Sequence, residues 1–190
     1  MFSSALVFVA AFSHADIGVI DAEQLIWSAR HQIGVTLSYD PTYRIIAYPN
    51  GDVPLQTGVC TDVVIRALRD QKIDLQNRVH EDMRKHFPHY PKRWGSKRTD
   101  KNIDHRRVPN LMTFLAREKT ELPITRRAAD YAPGDIVTWD LGGGITHIGI
   151  VSDRKIPLGI PLVIHNIGRG TQEENILFRY KIIGHYRLMS

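Results

Sequence analysis

One cysteine and nine histidines are the residues of this 190-residue chain that could support nucleophilic chemistry. Cys60 lies in the stretch Thr57-Gly58-Val59-Cys60-Thr61-Asp62-Val63-Val64-Ile65-Arg66-Ala67-Leu68, where Val63, Val64, Ala67 and Leu68 recur at three- and four-residue spacing. That spacing predicts a helix starting at the cysteine, with Gly58 bending the chain before it and Asp62 suiting the positive end of the helix dipole. A thiol there faces unpaired backbone N–H groups, which favour the thiolate. The dipole supplies at most about 2 kcal/mol, so a strongly depressed thiol pKa needs a neighbouring imidazolium as well. A free cysteine also serves as a small buried apolar side chain, and Cys60 alone does not decide between the two uses.

His147 and His165 are the natural partners to seek. They stand in the runs His147-Ile148-Gly149-Ile150-Val151 and Leu162-Val163-Ile164-His165-Asn166, both of strand type. A hairpin turning at Ile156-Pro157 would make the two histidines direct cross-strand neighbours, with Cβ atoms about 4.5–5.5 Å apart on one face. One imidazole could then orient the other. A zinc site built from His105, His147 and His165 with Asp104 or Asp140 is the metal alternative, but no His-x-x-x-His or glutamate-bearing helix accompanies them, so no metal or cofactor is expected. The Gly142-Gly143-Gly144 run is no phosphate loop, because a strand follows it and no Lys-Ser/Thr pair is present.

The elements that must position these groups follow from local pattern. Asp21 caps a helix reaching Ile33, with Ala22, Leu25, Ile26 and Ala29 in one stripe and Gly34 ending it. Residues 35–55 read as an irregular arm with a short strand at Arg44-Ile45-Ile46-Ala47-Tyr48. Asp74 caps a helix running to about Phe87, and Pro109 opens another with Leu111, Met112 and Leu115 inward. Between them Asp104, His105, Arg106 and Arg107 could form a carboxylate-binding rim, since guanidinium grips carboxylate through two hydrogen bonds. From Tyr131 the pattern changes to short strands at Ile136–Asp140, His147–Val151, Leu162–Asn166 and Tyr180–Arg187. Helices first and an antiparallel sheet second make an α+β fold.

Composition bounds the setting. The length suits one domain, residues 16–190, after a secretory-signal pattern in residues 1–15, where an apolar run ends in Ser13-His14-Ala15. No run approaches the ~20 apolar residues of a membrane span, so an exported, periplasmic chain without an integral membrane segment is expected. The net charge of +5 suits an acidic partner such as a cell-wall peptide; the scattered basic residues carry no nucleic-acid motif.

Gly58-Val59-Cys60-Thr61-Asp62, Pro133-Gly134-Asp135-Ile136-Val137, His147-Ile148-Gly149-Ile150-Val151 and Ile164-His165-Asn166 resemble the NlpC/P60 cysteine peptidases of the papain-like superfamily. More narrowly, Gly58 to Val64, Asn102 to Leu111, Pro133 to Gly149 and His165 to Gly168 look like the bacterial DUF1287 family, an uncharacterised branch of that superfamily. The resemblance implies an NlpC/P60-type fold, with the nucleophile at a helix N-terminus packed on the sheet. It implies Cys60 as nucleophile, His147 as general base and His165 as the residue orienting it. Tyr48 resembles the family's tyrosine near the nucleophile, and joins Asp104, His105 and Arg106 as a substrate-binding candidate. The expected activity is hydrolysis of an amide bond in a peptidoglycan stem peptide through an acyl-enzyme, by a monomer. The alternatives are a catalytically silent envelope module that binds wall peptides or a partner protein, and an acyltransferase using the same thiolate.

Overall fold

A computed structural model describes residues 20–188. The apolar stretch at residues 1–15, read above as a secretory signal, lies outside the described residues. Over the described residues the chain is an α+β fold of four α-helices and a five-stranded antiparallel sheet.

Side-chain caps start the first helices where the sequence places them. Asp21 accepts from the backbone N–H groups of Glu23 and Gln24 to begin α1 (Ala22–Arg30). The helix stops at Arg30 rather than Ile33, and turns carry the chain to Gly34, which adopts φ of 81°. Asp74 accepts from Gln76 N–H to begin α3 (Leu75–His86), whose Leu75, Val79 and Met83 are buried. Pro109 lies in the first turn of α4 (Val108–Arg117), where Phe114 joins Leu111 and Leu115 inside while Met112 stays partly buried. The arm holds β1 (Ser38–Tyr39), paired in parallel with β2 (Thr57–Gly58).

The strand expected at Arg44–Tyr48 does not form. Among the described residues no neighbouring segment supplies a ladder, and side chains anchor the arm instead: Asn102 accepts from Ile46 N–H, and Gln76 donates to the Ala47 carbonyl.

Between β2 and α3 runs α2 (Cys60–Arg69). Residues Cys60 to Leu68 are all buried, which makes this the central helix. It packs on the sheet β3 (Ile136–Asp140), β4 (Thr146–Lys155), β5 (Pro161–Asn166), β6 (Thr171–Glu174) and β7 (Lys181–Tyr186), ordered β6-β5-β4-β3-β7. The polar strand β6 was not foreseen, because Thr-Gln-Glu-Glu lacks the apolar alternation that marks a strand.

Alternation gives the sheet two apolar faces. Ile136, Ile148, Ile150 and Ile164 join Val63, Val64 and Leu68 in a core under the helices. Val137, Trp139, Val151 and Val163 form a second core with Tyr131, Ile176 and Leu177.

The β4–β5 hairpin departs from the expected register. Ile150 pairs with Ile164 and Val151 with Val163, and a bulge precedes the Lys155–Pro161 pair. The turn centres on Leu158, with Gly159 at φ of 79°, rather than on Ile156-Pro157. His147 and His165 are therefore diagonal, not direct, neighbours. The slip is by two residues, so both keep the same face of the sheet.

Candidate active site

Cys60 is the first residue of α2, and its local geometry is set by Asp62, which accepts from Val59 N–H at 2.6 Å across the helix start. The Asp62 carboxylate is held in turn by Arg106, whose Nε and Nη2 donate to its two oxygens at 2.9 Å each. The sulfur side of the helix end meets β4. The β4–β5 ladder ends at Ile150 and Ile164, and the N–H of Ile148 donates to Cys60 Sγ. Thr61 N–H and the Tyr39 hydroxyl donate as well.

Tyr39 reaches the sulfur because β1 pairs it with Gly58, two positions before the cysteine. The amide of Asn166, at the end of β5, donates to Gly58 O at 3.1 Å and Ser38 O at 3.3 Å, tying both strands of this small sheet to the strand that carries His165. Cys60 borders a cleft of about 520 Å³, whose lining includes Tyr39, Trp94, Arg106, Arg107 and Ile145.

The expected depression of the thiol pKa is not met. Cys60 is only 3% exposed, and burial pushes it up to about 11, with the Asp62 charge adding to the rise and the three donors opposing it. A helix end and hydrogen bonds do not offset the removal of water from a thiolate. Tyr39 is raised too, by burial first and then by the neighbouring sulfur.

The two histidines come together. His147 Nε2 and His165 Nδ1 are 3.0 Å apart, with the rings edge to face. Gly149 makes room for this diagonal contact, since a Cβ there would lie 3.1 Å from that of His165 and 2.7 Å from Val163 Cγ1. Burial pushes His147 down to about 3, helped by the neighbouring His165. Burial pushes His165 down to about 4 against the opposing pull of the Glu174 carboxylate. Both rings are neutral at pH 7. His147 shares its face with Trp139, its partner on β3, so its ring lies on the sheet face away from the helices. Among the described residues no hydrogen bond joins it to Cys60, and its Nδ1 has no hydrogen-bond partner. The sulfur takes its bond from Ile148, the residue adjoining His147, so sulfur and imidazole meet β4 at neighbouring positions on its two faces.

The substrate-binding candidates are rearranged. Tyr48 lies against α3, its hydroxyl 3.3 Å from Glu81 and Asn77, and does not line the cleft. Asp104 is buried, accepts from Asp100 N–H, and has its pKa raised by burial. His105 is also buried, and burial and the Arg106 charge push it down to about 3. Arg106 does border the cleft, but its guanidinium is committed to Asp62, so it locks the helix end rather than offering a carboxylate grip. Arg107 is the cation left at the rim. It lies 4.5 Å from the ring centre of Trp94, which is 60% exposed, and spends Nη1 on Ser96 at 3.1 Å and on Asp104 at 3.5 Å. Sequence reasoning gave no role to Trp94, quoted Asn166 only as the neighbour of His165, and left Tyr39 among the arm tyrosines that could line a cleft. Only Tyr39 carried a local sign, a tyrosine at the end of the extended run Thr36-Leu37-Ser38. Among the described residues no group of three or more His, Cys, Asp or Glu side chains could hold a metal ion, and the zinc alternative has no such cluster to rest on.

The profile of a family described as "Domain of unknown function (DUF1287)" matches residues 26–188. The chain is 58% identical to "Uncharacterized protein YijF" of Escherichia coli (strain K12) over 159 residues, which cover 84% of this chain and 78% of that protein. No solved structure matches the chain significantly.

Proposed function

The chain belongs to the DUF1287 family, and from that premise and the cleft geometry we propose that it is a thiol hydrolase of the bacterial envelope, acting on an amide bond of peptidoglycan stem peptides. The fold is read as papain-like, of NlpC/P60 type, and the chain as an exported periplasmic protein. One juxtaposition carries the reading: a cysteine at a helix N-terminus, hydrogen-bonded to the residue beside a histidine that is itself paired with a second histidine.

A thiol pKa near 11 leaves about one molecule in 10⁴ as thiolate at pH 7, so a standing ion pair is not the reactive state. The proton leaves during attack. Substrate displaces the Tyr39 hydroxyl from sulfur, and His147 must swing from the far face of the sheet to reach it. Cys60 Sγ bonds to the amide carbon while its proton passes to His147 Nδ1. The Cys60 N–H, at the first helical position and without an intrahelical acceptor, and the released Tyr39 hydroxyl receive the developing oxyanion; one such donor typically lowers the barrier by about 3 kcal/mol. The carbon–nitrogen bond then breaks, and His147 returns the proton to the departing amine. Water attacks the thioester carbon, giving a proton to His147; the carbon–sulfur bond then breaks, the sulfur takes that proton back from His147, and the acid product leaves as its carboxylate. An acceptor other than water would make the same sequence an acyl transfer. Arg107, stacked on Trp94 at the rim, holds a carboxylate of the acidic stem peptide.

Digestion of purified peptidoglycan by the wild type and by Cys60→Ala tests the proposal. New muropeptides are expected from the wild type only. A second reading, a catalytically silent module that binds wall peptides, is favoured by the raised thiol pKa and the unbridged sulfur and imidazole. Identical digests from the two proteins, with binding to the wall intact in both, establish that reading instead.

A further inference from the structure

His165 is wholly buried, and its Nδ1 is taken by His147. Its other ring nitrogen, Nε2, is 3.2 Å from Oε2 of Glu174 on β6, although the carboxylate is off the axis of a good hydrogen bond and Nε2 has no other partner. Strand alternation explains the contact. In the β5–β6 ladder Val163 pairs with Glu174 and His165 with Gln172, so Glu174 lies diagonal to His165 on the same face. The preceding Glu173 pairs with Ile164 on the helix-facing side and binds Arg30 of α1. Glu174 also contacts the exposed Arg169, so it does not sit beside the histidine as a lone charge.

We propose that Glu174 is a positioning residue that holds the proton of His165 on Nε2, and through it sets the tautomer of His147. With Nε2 of His165 protonated, its Nδ1 must accept, so His147 donates from Nε2 and keeps the lone pair on Nδ1 free. That lone pair is the one the thiol proton needs. The opposite tautomer would place a proton on His147 Nδ1 and leave no base for the sulfur. The consequence for catalysis rests on the hydrolase reading above, whereas the tautomer assignment stands on the geometry of the pair.

Nitrogen-15 NMR of histidine-labelled full-length protein tests it, comparing wild type with Glu174→Leu and Glu174→Gln. In the wild type both rings are expected as the Nε2–H form. Glu174→Leu is expected to move a substantial fraction of His165 to the Nδ1–H form and, if the chain is a hydrolase, to lower kcat by about 10–100-fold with KM little changed. Glu174→Gln, whose amide oxygen still accepts, is expected to retain most of the wild-type tautomer. Unchanged histidine signals in a folded Glu174→Leu protein overturn the proposal, as does a wild-type His165 protonated on Nδ1. Altered signals in a chain that digests no peptidoglycan uphold the positioning role and remove the hydrolase.

Discussion

At the residue scale, Cys60 poses a contest between desolvation and hydrogen bonding. Three donors point at the sulfur, from Ile148 N–H, Thr61 N–H and the Tyr39 hydroxyl, and each favours the thiolate. Burial outweighs them, because a donor replaces part of a hydration shell while the protein interior removes the rest. The free protein should therefore hold a neutral thiol through the range in which an active-site ion pair would be a thiolate. Ultraviolet thiolate absorbance is expected to stay flat between about pH 6 and 9, and alkylation to be slower than for a free thiol of pKa about 8.5. A titration step below pH 7 in the wild type, absent from Cys60→Ala, would contradict this.

At the element scale, the start of α2 is clamped rather than merely capped. Asp62 accepts from Val59 N–H and takes both arms of the Arg106 guanidinium, while Thr61 Oγ1 donates to the Arg106 carbonyl at 3.2 Å. Arg106 therefore joins two segments far apart in the chain at the residue that carries the sulfur. Its charge is raised in pKa because the Asp62 bond and charge outweigh burial, which alone would lower it. Removing one member of such a buried pair strands the other. Arg106→Leu is expected to lower unfolding stability by about 3–5 kcal/mol in denaturant melts. Arg107→Leu removes a partly buried cation that touches Trp94, Ser96 and, at a long 3.5 Å, the buried Asp104 carboxylate, and should cost less stability than Arg106→Leu while weakening binding of an acidic stem peptide. Equal stability losses from the two substitutions would refute the division of roles between neighbouring arginines.

At the scale of the whole molecule, apolar cores on both faces of the sheet bury several imidazoles in neutral form. His105 and His147 are held near 3 and His165 near 4, against about 6.5 in the unfolded chain. Between those values the unfolded state binds more protons than the folded one, so stability rises with pH there and is lost as pH falls from about 6.5 toward 3. Each ring should remove roughly 1–2 kcal/mol between pH 7 and 5. Asp135 acts at lower pH. Burial works against its charge, but bonds from Arg187 and His185 hold the carboxyl below its ordinary value, so its contribution is present at neutral pH and disappears only in stronger acid. Urea melts at pH 7 and pH 5 should differ by a few kcal/mol, and a smaller difference is expected in His105→Gln if that variant folds. Equal wild-type midpoints at the two pH values would show that the folded rings take up protons as readily as those of the unfolded chain.

What the sequence determined by itself is what neighbouring residues decide among themselves. Asp21 and Asp74 cap helices because side chain and backbone N–H lie within three positions, and Val63, Val64, Ala67 and Leu68 declare a helix because its period is local. The pairing of His147 with His165 was also legible, although displaced by two residues, because strand parity survives an even slip. Only the tertiary structure decided which tyrosine meets the sulfur, that Arg106 serves Asp62, that Glu174 stands beside His165, and that the thiol is raised rather than lowered. Those outcomes depend on contacts between distant segments, a bulge in one strand and the exclusion of water. No local pattern encodes them, since each is a property of the space the folded chain encloses.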